Sequence, residues 1–160
     1  MPTATFARFV VEINPVRIEP KSQFIGIDLG IKIFAVLSDG TQVKGPDYSK
    51  PDRKIRKLQR KLARPQKDSS RRNKTRIRIA KQHNKITDKR TDELHKLSTK
   101  IVSENQTVIL EDLNVSGMVK NRRLARAISW QGWYEFRTLT EAKCDKYGRD
   151  FRVIDRWELS

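Results

Sequence analysis

The chain has 160 residues, 36% of them apolar, with 35 Lys and Arg against 19 Asp and Glu for a net charge of +16. That length suits one domain with a real hydrophobic core, and a surplus of this size points to a polyanion, most often nucleic acid. No stretch approaches 18 apolar residues, and the N-terminus has no basic region leading into a long apolar core, so a soluble chain that is neither membrane-spanning nor exported is expected.

Residues 6–18 alternate loosely between apolar and polar and are interrupted by Pro15. This suits an edge strand, or the remnant of a preceding domain, followed by a linker up to Gln23. Phe24 to Gly40 then reads as two apolar strands folded on each other, Phe24–Leu29 and Ile31–Leu37, with Gly30 at the turn and Asp28 inside the first strand. A carboxylate in a strand that reads as buried is costly unless paired, hydrogen-bonded or bound to a cation. Backbone N–H groups could satisfy it, or a metal ion could. Ser38-Asp39-Gly40 signals a turn, and 41–44 reads as a short third strand.

Two helices are expected next. The first runs from Pro51 to Arg64 with Ile55, Leu58 and Leu62 on one side. The second runs from Ser70 to Ser103 with a stripe through Ile79, His83, Ile86, Arg90, Leu94, Leu97 and Ile101, which makes His83 a packing histidine. Lys50 to Lys100 carries 20 basic and 5 acidic residues, a balance of +15, whereas the rest of the chain amounts to +1. The helical hairpin therefore holds the charge, and Arg53, Arg56, Arg60, Arg71, Arg72 and Arg76 are its expected nucleic-acid contacts, made to the backbone and not to base edges.

Thr107–Asn114 (TVILEDLN) is a fourth strand ending in Glu111 and Asp112. Neighbours on a strand face opposite ways, so only one of these two acids can share a side with Asp28; Asp112 reads as a strand-end cap. Residues 114–127 read as a basic loop, 130–147 as a helix stopped by Gly148, and 151–154 as a last strand. Trp130, Trp133 and Tyr134 could stack on bases, although at helical spacing aromatics are more often core. Cys144, the single cysteine, reads as a small core residue; it excludes an internal disulfide, cannot alone make a zinc site, and fits a reducing, cytoplasmic setting.

Strand, strand, strand, helix, strand, helix, strand is the order of an RNase H-like α/β fold, a mixed sheet with the basic hairpin inserted between strands 3 and 4. In that order Asp28 and Glu111 fall on neighbouring strands. Two carboxylates this close repel unless a divalent cation lies between them, and hard oxygen ligands suit Mg²⁺ or Mn²⁺.

Several blocks, in order, carry a resemblance: Gly26-Ile27-Asp28-Leu29-Gly30-Ile31-Lys32, Leu58-Gln59-Arg60-Lys61-Leu62, Leu94-His95-Lys96-Leu97-Ser98, Ile109-Leu110-Glu111-Asp112-Leu113-Asn114-Val115 and Gly117-Met118-Val119-Lys120-Asn121. From Phe24 to Trp157 the chain resembles the TnpB (OrfB) family of insertion-sequence transposases, which are related to type V CRISPR nucleases. The resemblance implies a RuvC-type core in which Asp28 and Glu111 are catalytic metal ligands for Mg²⁺ or Mn²⁺. It also implies DNA cleavage directed by a guide RNA, with DNA and RNA as partners and no membrane role.

The family continues into a four-cysteine zinc ribbon and a third catalytic aspartate, both absent up to Ser160. The expected organisation is thus 1–23 as a remnant strand and linker, and 24–160 as an incomplete RuvC-like domain with 50–103 as its hairpin insertion and no zinc. Cleavage by this chain alone should be weak or absent. Asp155, near the missing acid, reads as a salt-bridge partner of Arg152 or Arg156. The alternative is a non-catalytic RNA- or DNA-binding relic or regulator acting through the hairpin. Self-association, or a second chain completing the site, is a third reading.

Overall fold

The computed structural model describes residues 18–19, 23–64, 69–121 and 124–154. The expected strand at 6–18, apart from Ile18, and Asp155 lie outside them. The elements are β1 (Phe24–Leu29), β2 (Ala35–Leu37), β3 (Gln42–Val43), α1 (Ser49–Leu62), α2 (Ser70–Glu104), β4 (Thr107–Glu111), α3 (Val115–Met118), α4 (Ala125–Gln131), α5 (Trp133–Tyr147) and β5 (Asp150–Ile154). The strands form one mixed sheet in the order β3-β2-β1-β4-β5. β1, β2 and β3 pair antiparallel, whereas β1–β4 and β4–β5 are parallel, each parallel step crossing over through helices.

Period-two burial sets the two faces of the sheet. Ile25, Ile27 and Leu29 of β1 and Val108 and Leu110 of β4 are buried on one face. There they join Leu94, Ile101 and Val102 of α2 and Trp133, Phe136 and Cys144 of α5 in a single core. Phe34 crosses edge-on to Phe136, with ring centroids 5.4 Å apart. Ile31 and Ile33, expected in the second strand, lie instead in a bend closed by the Gly30 N–H bond to the Phe34 carbonyl. That bend delivers Phe34 to the core, and a Cβ on Gly30 would sit 2.8 Å from the Ile33 carbonyl oxygen.

The hairpin has its own small core of Tyr48, Ile55 and Ile86, with Trp130 packed against it. His83 is exposed, contrary to the stripe reading, and Gln82 is the half-buried residue between Ile79 and Ile86. The side of α2 turned toward α1 thus runs through Ile79, Gln82 and Ile86, at steps of three and four, and leaves His83 to solvent. Arg90, the charged member of the stripe, donates to Glu135 of α5 at 3.1 Å, and Thr91 donates to the same carboxylate at 2.6 Å.

The expected loop at 114–127 contains α3 and the start of α4. The Asn114 side chain caps α3 by accepting from the Gly117 N–H at 2.9 Å. The expected single helix over 130–147 is broken at Gly132, which has φ of 71°. A Cβ there would meet Arg90 Cδ at 2.7 Å in a left-handed backbone. Gly132→Ala is therefore expected to cost at least about 1–2 kcal/mol, read as a lower urea midpoint at unchanged m-value. An unmoved midpoint would show that the break is not needed.

Candidate functional site

Asp28 and Glu111 come from the middle of β1 and the end of β4. The parallel register places Ile27 opposite Leu110, so the next residues, Asp28 and Glu111, are neighbours on the same face of adjacent strands. They line one open depression with Gly26, Val36, Ile109 and Ile154. Asp28 is exposed, which corrects the premise of a buried acid: it lies on the face turned away from the helical core, while its neighbours Ile27 and Leu29 are buried. Glu111 is half-buried, opposite Ile154 of β5.

Asp112 faces the other way, as neighbours on a strand must. Its carboxylate accepts from Arg137 of α5 at 2.8 Å, so it holds a helix and does not act as the expected strand-end cap. Among the described residues no group of three His, Cys, Asp or Glu side chains is placed to hold a metal ion. Two hard carboxylate oxygen donors side by side and accessible to solvent do fit a divalent cation such as Mg²⁺ or Mn²⁺. No zinc-type Cys or His set accompanies them in the described part.

Of the six hairpin arginines, Arg53, Arg60, Arg71 and Arg76 are exposed. Arg56 is also exposed but pairs with Asp52 at 2.8 Å. Arg72 is half-buried and donates to the Leu62 carbonyl at 3.0 Å, which ties the end of α1 to the start of α2. Three cations passed over by sequence reasoning, Lys61, Lys74 and Arg78, join Arg71 along a cleft between the two helices. Lys50, Lys54 and Lys57 cluster with Arg53 on α1. The signal was available, since positions 71, 74 and 78 are spaced three and four apart and so share a helix face.

The root of the hairpin is fixed. The Asp52 carboxylate, buried, lies 3.3 Å from Arg126, whose guanidinium stacks over Trp130, and Trp130 meets Tyr48 edge-on at 5.6 Å. Trp130 is therefore a docking aromatic and Trp133 a core one, while Tyr134 is 76% exposed. Cys144 is buried as expected, and burial pushes its thiol up to about 11, so it is no nucleophile at neutral pH. Lys143 donates to the His95 carbonyl, Ser98 Oγ and Thr99 Oγ1, tethering α5 to α2; partial burial lowers its pKa. Among the described residues no helix is long and apolar enough to cross a membrane.

The molecule is thus an α/β protein with two acids side by side on the open face of a mixed sheet and a cationic helical hairpin rooted beside it. The chain belongs to the OrfB transposase family, whose model, described as "Probable transposase", matches residues 8–122. A Streptomyces pristinaespiralis protein and an Escherichia coli (strain K12) protein with the suffix InsQ share the name "Putative RNA-guided DNA endonuclease". The first is 48% identical over 134 residues, covering 83% of this chain and 33% of its own length. The second is 33% identical over 136 residues, covering 75% of this chain and 34% of its own length. A Mycobacterium tuberculosis relative of similar name is 27% identical over 145 residues. The chain spans about a third of the length of these relatives.

Proposed function

We propose that the chain is the RuvC-type, RNase H-like portion of a TnpB/OrfB transposase. In this reading it binds nucleic acid through its basic hairpin and holds Mg²⁺ or Mn²⁺ between Asp28 and Glu111. The observation that carries the reading is the register that sets these two acids side by side on β1 and β4. The sheet order β3-β2-β1-β4-β5, with the hairpin between β3 and β4 in the chain, supports it as well. The relatives' names support DNA as the substrate and RNA as a guide.

Asp28 and Glu111 would hold the divalent ions, which would supply activation of water and stabilisation of the leaving oxygen of a phosphodiester. The protein supplies the placement. Asp28 is paired with Val36 of β2 and Glu111 with Ile154 of β5, and the β1–β4 pairing runs up to Ile27 and Leu110 immediately before them. Strand-borne ligands hold their geometry better than loop-borne ones. Two carboxylates bind more weakly than three, so cleavage by these residues alone is weak.

Calorimetric titration with Mn²⁺ tests the reading. The protein is expected to show a site that Asp28→Ala weakens at least about tenfold, the scale on which even outer ligand-shell changes act. A protein without any Mn²⁺ site would sink the metal reading. It would leave the second one, a nucleic-acid binder without catalysis that acts through the cationic cleft of the hairpin.

A further inference from the structure

The two helices of the hairpin are held unevenly along their length. At the root, Tyr48, Ile55 and Ile86 form a small core with Trp130, and the buried Asp52 carboxylate meets both Arg56 and Arg126. In the outer part, residues 57–64 and 69–85, the buried side chain is Thr75, whose hydroxyl donates to the Arg71 carbonyl of its own helix. Leu58, Leu62 and Ile79 are half-buried there, and Ile77 is 45% exposed. A hydrogen bond from Arg72 to the Leu62 carbonyl crosses between the helices. Helices in proteins owe most of their stability to a packed apolar face, and the outer part has little of one.

Charge works against it as well. Residues 57–64 and 69–85 carry eleven Lys and Arg and no Asp or Glu. On α2, Arg71, Lys74, Arg78, Lys81 and Lys85 follow at steps of three and four, so they make one exposed stripe in which each cation neighbours the next. Like charges at that spacing disfavour the helix, and Lys61 of α1 adds another across the cleft it shares with Arg71, Lys74 and Arg78. The next acid along α2 is Asp88, past the root residue Ile86. The far end of the same helix is built differently: Leu94, Ser98, Ile101 and Val102 are buried, and Asp92 pairs with Lys96 at 2.6 Å.

We propose that the outer part of the hairpin is a conditional element, which opens locally in the free protein and is closed by a phosphate backbone seated along the stripe. The root stays closed in both states. The proposal rests on the nucleic-acid reading above and adds regulation to it. A phosphate chain supplies the negative charge that the segment lacks, so it binds the closed arm far better than the open one and shifts the balance by that difference. Affinity is lowered by the fraction of arms that are open, and the ordered cationic surface forms where nucleic acid is present.

Hydrogen–deuterium exchange of the 160-residue chain tests this, read on peptides from 57–64 and 69–85 and on peptides from 94–102. In the free protein at low salt, the outer amides are expected to be at least about a hundredfold less protected than those of 94–102, as locally opening segments are. A DNA duplex of about 20 base pairs, at about a hundred times its Kd, should slow the outer amides at least about tenfold and leave 94–102 unchanged. Sodium chloride at about 0.5 M, without DNA, should also slow them, because screening shortens the reach of the repulsion. Lys81→Glu, which sets an acid three residues after Arg78 and four before Lys85, should do the same at low salt. Outer amides already as protected as 94–102, indifferent to both salt and Lys81→Glu, or unslowed when the duplex is bound, overturn the proposal and leave the nucleic-acid reading standing. Failure to bind the duplex, followed by fluorescence anisotropy on the same sample, overturns both.

Discussion

Replacing Lys61, Arg71, Lys74 and Arg78 together by Gln should lower the salt slope of duplex-DNA binding by about 3 to 4, since each neutralised phosphate contributes about 0.9 to that slope. The four cations line one cleft between α1 and α2, close enough to engage successive phosphates of one backbone. They make no ion pair within the described protein, so the change removes charge without leaving a carboxylate stranded. Arg71 and Lys74 also repel one another at three residues' separation, so folding stability should hold or rise by a few tenths of a kcal/mol. Filter binding across a salt series measures the slope. A slope that does not move would place the contacts elsewhere, the Lys50, Arg53, Lys54 and Lys57 patch being next.

Phe136→Ala is expected to remove about 3–5 kcal/mol of stability, out of the 5–15 kcal/mol typical of a domain. Phe136 is fully buried and is where α5 meets the bend after β1, through the edge-on contact with Phe34. Its loss deletes apolar area, opens a cavity and removes an aromatic pair worth about 1 kcal/mol. Asp28 is carried on the same strand whose end that contact secures. Urea unfolding followed by circular dichroism would register the fall, with a melting temperature lower by on the order of 10 °C. A loss below 1 kcal/mol would mean that α5 does not secure the sheet.

What was legible in the sequence followed local periodicity. The apolar runs at β1 and β4, the punctuation at Gly30 and Gly40, and the i, i+3, i+4 spacing of α1 and α2 each announce their element. Asp28 and Glu111 could be placed on neighbouring strands because element order limits the topologies available. What failed to show depends on contacts distant in sequence. The break at Gly132 exists because α5 must turn past Arg90 and Leu94 of α2, some 40 residues earlier. His83 faces solvent and Gln82 is half-buried, because spacing alone allows either residue between Ile79 and Ile86 and only the packed partner selects one. Asp112 was read as a cap because its partner, Arg137, lies 25 residues on in another helix. Arg72 looked like any other hairpin arginine until its bond to the Leu62 carbonyl set it apart.

The hairpin bears on assembly of the sheet as well as on charge. β1 must find β4 from a distance of 83 positions, Phe24 against Thr107, and a search over so long a connection slows folding. Once α1 and α2 have paired, Tyr48 already touches the cluster around Ile86, and the chain between them no longer counts as slack. Roughly halving the flexible connection saves about 0.6 kcal/mol of closure entropy, and each stiff helix spans distance that a coil would have to sample. The segment whose cations face solvent thus also shortens the path by which the two acids meet.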